Sequence, residues 1–168
     1  MFGIFLIFPV FLLLQEAFLL PDQADKLVHS INTHLKKAKR EVFIFTPAID
    51  EYSLIRSLKN AAKNDVKITL VTNESIRQEQ NKTGMKNQGA YLSLFQNISV
   101  YTLPSFHHDQ DSSSALKGSL VCIDNKELFM ITHALSTKKL KSDYAFGLHQ
   151  KTQCSTLFKP ILERSKPY

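Results

Sequence analysis

The stretch from Lys117 to Ala134 constrains this chain most. Two short apolar runs, Leu120 to Ile123 and Leu128 to Ile131, enclose the polar tetrad Asp124-Asn125-Lys126-Glu127. That pattern predicts two strands joined by a tight hairpin turn. A hairpin alone names no chemistry, so the elements around it decide the fold.

Upstream, apolar residues recur at Ala24, Leu27, Val28, Ile31, Leu35 and Ala38, the stripe of an amphipathic helix. Lys36, Lys37, Lys39 and Arg40 crowd its C-terminal end, where cations complement the helix dipole. Val42-Phe43-Ile44-Phe45 is a continuous apolar run closed by Thr46-Pro47, the signature of a strand buried on both faces. A helix is expected from Glu51 to Lys63, a turn at Asn64-Asp65 and a strand from Val66 to Thr72. Together these form a βαβ unit, whose strands should run parallel with a right-handed crossover.

From Asn73 to Gln88 the chain is polar, a loop or exposed helix near the sheet edge where α/β proteins hold ligands. A short helix at about Ala90 to Phe95, a strand from Ile98 to Leu103 and a loop carrying His107-His108 lead into the hairpin. Beyond it come a basic stretch from Ser136 to Ser142, a strand from Tyr144 to Leu148, and a closing helix from Thr152 to Arg164. Pro160 is expected to kink or break that helix. The reading is one α/β domain with a mixed, largely parallel sheet flanked by helices.

A length of 168 residues suits one such domain, and the net charge of +6 favours anionic partners. Met1 to Leu14 carries no charge and reads as an export signal or short anchor. Fourteen helical residues span only ~21 Å, short of the ~30 Å hydrocarbon core. Residues 1–17 are therefore taken as signal peptide or membrane tether and 18–168 as the domain, exported to the periplasm or anchored at the inner membrane. Cys122 reads as a small core residue. A bridge to Cys154 is allowed in an oxidising space, but spacing does not dictate one.

The order of elements around this hairpin resembles the phospholipase D superfamily, in particular its small single-motif Nuc-type bacterial endonucleases. In that family one strand carries HxKxxxxD and the next ends in GSxN. Here Asp124 falls at the signature Asp, which puts Lys117 at the His and Ser119 at the Lys. Ile131-Thr132 stand at the Gly-Ser and Ala134 at the Asn, while Asp143 lies close to the family's Glu that orients the His. Phe18-Leu19-Leu20-Pro21 matches the short first strand, and Asn64-Asp65-Val66-Lys67-Ile68 resembles the family's GVKV strand.

The resemblance implies a reaction in which one His attacks phosphorus, a second protonates the leaving oxygen, and Lys and Asn bind phosphate oxygens. It also implies pairing of two chains, as a homodimer or with an active relative. The altered residues argue against that reaction: a lysine, with an ordinary pKa near ~10.4, is protonated at neutral pH and a poor nucleophile. Ser119 supplies no positive charge, and the Ala134 side chain has no donor.

The expected role is therefore noncatalytic. It would be binding of phosphate-containing ligands, nucleic acid or phospholipid head groups, through Lys117, Thr132, His133, Lys138 and Lys139, with Lys141 nearby. The bland alternative makes these lysines a solvated loop and Asp124 turn material. The enzymatic alternative is a phosphodiesterase rearranged around Lys117 and His133, with His107-His108 approaching the same place, and the third is a structural envelope protein. No cofactor or metal is expected: no two histidines stand three or four apart, and His29, His34 and His149 carry no pattern.

Overall fold

The computed structural model describes residues 16–73, 88–103 and 118–168. Lys117, His107-His108, the apolar segment 1–14 and nearly all of the polar stretch 73–88 lie outside the described residues. Eight strands, β1 (Glu16–Leu20), β2 (Glu41–Phe45), β3 (Lys67–Asn73), β4 (Ile98–Leu103), β5 (Ser119–Ile123), β6 (Glu127–Ile131), β7 (Ala145–Lys151) and β8 (Lys166–Pro167), form one sheet. Their order is β1-β7-β6-β5-β2-β3-β4-β8. Among the described residues five helices accompany them: α1 (Ala24–Lys37), α2 (Tyr52–Lys63), α3 (Gln88–Leu92), α4 (Thr137–Ser142) and α5 (Ser155–Glu163).

The βαβ unit is present, with β2 parallel to β3 and β3 parallel to β4. Every other pairing between these strands is antiparallel, so the sheet is mixed and less parallel than the sequence suggests. The cause is connection length. The β5–β6 turn is too short for a crossover, and the ladder it starts runs on through β7 to β1. β1 begins at Glu16, paired to His149, two residues before the expected domain boundary.

The hairpin turn has Asp124 at φ 52° and Asn125 at φ 54°, the left-handed pair that matches the twist of two antiparallel strands. Gly118, just before β5, faces a wall: a Cβ there would lie 2.7 Å from the Ile131 carbonyl oxygen. Helices cover both faces of the sheet. Leu27, Ile31 and Leu35 of α1 and Leu54 and Leu58 of α2 pack on Val42, Ile44, Val121 and Phe129. On the other face Phe158 of α5 packs with Phe45, Val71, Leu128 and the Cys122–Cys154 disulfide.

Pro160 sits inside α5, which continues through it to Glu163, so no break occurs. The helix starts later than expected because Asn125 Oδ1 accepts the amides of Cys154 and Ser155, at 2.8 and 2.7 Å, and fixes its first turn. Among the described residues, no helix is long and apolar enough to cross a membrane.

Candidate functional site

The C-terminal end of β2, the start of β5 and the end of β6 meet at one end of the sheet, beside Ser119, Thr132 and Ala134. Ser119, at the family's Lys position, is buried at 1% exposure. Its Oγ lies 2.7 Å from the His133 carbonyl oxygen and 2.8 Å from Thr46 Oγ1, so its one proton serves these two acceptors. Thr46 Oγ1 in turn donates to the Ala48 carbonyl and accepts the Leu135 amide. This buried hydroxyl chain ties β2, β5 and the segment after β6 together. At that position the side chain is structural.

Thr132 is exposed, and its Oγ1 accepts the Phe146 amide at 3.1 Å, extending the β6–β7 ladder. The His133 Nε2 atom is buried and has no hydrogen-bond partner among the described residues, with Asp143 Oδ2 4.0 Å away. The Lys139 ammonium, 2.8 Å from Asp143, and the Ser142 hydroxyl hold the Asp143 carboxyl below its ordinary range, with a smaller contribution from His133. Lys139 is therefore paired with Asp143, Lys141 pairs with Asp25 at 2.8 Å, and Lys138 is exposed on α4. Ala134 is buried at this edge.

Asp124 stands at the opposite end of the hairpin. Its carboxylate accepts the amides of Lys39, Arg40 and Glu41 at 2.9, 2.8 and 3.1 Å. Partial burial opposes the charge, but those three amides outweigh it and, with Lys126, hold the carboxyl below its ordinary range. Asp124 thus anchors the entry to β2.

One feature near the motif edge was not legible in the sequence. Tyr52, Arg56, Lys59 and Lys63 stand on one face of α2 and line, with Tyr91, a groove of about 940 Å³. Lys59 Nζ donates to Tyr91 Oη at 2.7 Å and lies 4.9 Å from the Phe95 ring centroid. Asp50, in the wall of the same groove, accepts the Ser136 hydroxyl and the Thr137 amide, which joins the groove to the segment after β6. The spacing Tyr52, Arg56, Lys59, Lys63 is visible in the sequence as a helical stripe, but that Tyr91 faces it depends on the fold.

The fold and this edge together define a phospholipase D-like domain. Residues 31–145 match the family described as "Cardiolipin synthase, PLD-like domain", so the chain belongs to the phospholipase D-like family. Comparison with curated protein sequences gave no match. Among solved structures the chain is similar to NucT from Helicobacter pylori, with a TM-score of 0.78 at 17% identity, over 92% of this chain and 99% of that one. It is also similar to Nuc from Salmonella typhimurium, a phospholipase D family member, with a TM-score of 0.63 at 14% identity over 92% and 97%. A third likeness is to TrmBL2, an archaeal chromatin protein, with a TM-score of 0.61 at 11% identity over 97% of this chain and 57% of that one. These likenesses establish the expected fold.

Proposed function

We propose that this chain is an exported phospholipase D-like protein that binds phosphate-containing ligands, nucleic acid foremost, without hydrolysing them. Ser119 carries the reading. Where the family has a phosphate-binding lysine, a buried hydroxyl is held by Thr46 and the His133 carbonyl. It brings no positive charge to a phosphorane, and catalysis of phosphoryl transfer rests on such charge.

Binding is supported by the α2 groove, where Arg56, Lys59 and Lys63 lie beside Tyr52 and Tyr91. Cations that track a phosphodiester backbone, interleaved with aromatic faces for bases, are what single-stranded nucleic acid needs. The net charge of +6 adds long-range attraction. TrmBL2 is described as showing a novel mode of DNA binding, which makes nucleic acid a reasonable ligand class for a relative of its fold. The Cys122–Cys154 bridge suits an oxidising compartment and, with the apolar N-terminal segment, supports export.

A second reading has one specific observation behind it. The buried His133 Nε2 lies 4.0 Å from the Asp143 carboxylate, close enough for a side-chain rotation to make the carboxylate–imidazole pair of a phosphodiesterase rearranged around Lys117 and His133. Pairing with a second copy or an active relative belongs to either reading.

Fluorescence anisotropy with a labelled single-stranded oligonucleotide and the full chain tests the proposal. Affinity should fall steeply as salt rises, and the double variant Arg56→Glu, Lys63→Glu should bind about tenfold or more weakly. No binding at low salt would refute the nucleic-acid role, and preference for anionic vesicles over the oligonucleotide would transfer it to phospholipid.

A further inference from the structure

His34, Glu127 and His149 belong to α1, β6 and β7 and share no local motif, yet their ligand atoms all lie within 4.8 Å of one another. We propose that they form a binding site for one divalent transition-metal ion, zinc by preference, at the end of the sheet opposite Ser119 and His133. The inference is independent of the nucleic-acid reading.

The geometry begins with the two imidazoles. His34 Nδ1 lies 2.8 Å from the Ser30 carbonyl oxygen, which only accepts, so Nδ1 carries the proton and Nε2 keeps its lone pair. That Nε2 points at Glu127 Oε2, 3.9 Å away. His149 Nε2 points at the same oxygen from 2.8 Å, while its Nδ1 faces Glu16 Oε2 at 3.6 Å. His34 is thus braced through Nδ1 by the Ser30 carbonyl, the Glu16 carboxylate stands near His149 Nδ1, and both Nε2 atoms lie close to one shared carboxylate. Outer oxygens of this kind orient metal-bound histidines.

Four-coordinate zinc at ~2.0–2.1 Å from nitrogen or oxygen sets its ligands about 3.3 Å apart. The 2.8 Å separation must widen and the 3.9 Å separation close, each by about half an ångström, and the two imidazole nitrogens, within 4.8 Å of each other, must close by up to about 1.5 Å, through side-chain torsions. On binding, the His149 Nε2 proton is displaced and the ring carries its proton on Nδ1, toward Glu16.

Rigid surroundings favour the site. His149 is buried at 5% exposure and stacked on Phe129 with ring centroids 4.3 Å apart, and the two are direct partners across β6 and β7. His34 meets the Phe129 ring edge-on. Glu16 and His34 also line a cavity of about 530 Å³ with Lys26, His29, Ser30 and Thr33, so solvent lies beside the site. Two imidazoles and a carboxylate suit zinc, cobalt or nickel rather than magnesium or calcium. The three proposed ligands lie downstream of Ala17, and the carboxylate facing His149 Nδ1 is the one part of the site that residues 1–17 supply.

The test uses the full chain, stripped with chelator and then given Zn²⁺ or Co²⁺ alone. One equivalent of zinc per chain should survive gel filtration. His34→Gln and Glu127→Gln should each lose it, while His29→Gln and His133→Gln keep it. Proton NMR of the Co²⁺ form should show two strongly shifted exchangeable imidazole signals, one from each Nδ1–H, a readout that needs no variant. Retention of less than a tenth of an equivalent by the unaltered chain would overturn the proposal. So would retention unaffected by His34→Gln and Glu127→Gln, or absence of the two shifted signals.

Discussion

Asp124 and Ser119 show how signature positions come to serve architecture. The Asp124 carboxylate gathers three amides from a segment more than eighty residues upstream, where β2 begins. Its folded pKa lies below the ordinary carboxylate value. The stability it contributes is therefore present above that ordinary value and is lost as pH falls through the folded one. Asp124→Ala should cost about 1–2 kcal/mol at neutral pH in this partly solvated site. The difference from the unaltered chain should shrink in acid, which urea denaturation at neutral and acidic pH would read. Ser119→Ala, which leaves Thr46 and the His133 carbonyl short of a partner, should cost about 1–2 kcal/mol while leaving oligonucleotide affinity unchanged. That pair of measurements separates a structural serine from a phosphate ligand. The sequence places Asp124 in a turn, since Asp-Asn is turn material, but its distant amide partners have no local trace.

At the scale of elements, the closing helix α5 depends on two tethers from the hairpin: the Asn125 side chain on its first amides and the Cys122–Cys154 bridge. Asn125→Ala should destabilise the chain by about 1 kcal/mol, as loss of a helix cap does. The double change Cys122→Ser, Cys154→Ser should cost about 2–4 kcal/mol. Thermal denaturation of each variant, with dithiothreitol compared against the double change, checks both. The long periodic elements were legible because their pattern records burial directly: the stripe of α1 and the apolar run of β2 lie where hydrophobic spacing puts them. The two-residue β8 and the six-residue α4 were not, because elements so short carry no period. α5 passes through Pro160, and the sequence signal for a break is overridden by Phe158, buried against the sheet on one side of it.

Across the whole molecule, the sheet has two chemically distinct ends. One carries the remodelled signature and opens to the α2 groove, and the other gathers His34, Glu127 and His149 beneath α1. The family was legible from the frame set by Asp124 and its strands. The second cluster was not, because its members come together only through strand order: β7 lies beside β6, and α1 crosses over them. The mixed direction of the sheet follows from the same topology, with parallel pairing confined to β2, β3 and β4. One gel tests whether the chain binds a phosphate-containing ligand without turning it over. A labelled single-stranded oligonucleotide is incubated for hours with the full chain at low salt and run natively, then denatured. A noncatalytic binder gives a retarded band natively and full-length label after denaturation. Shortened label that disappears in the His133→Ala variant would contradict it.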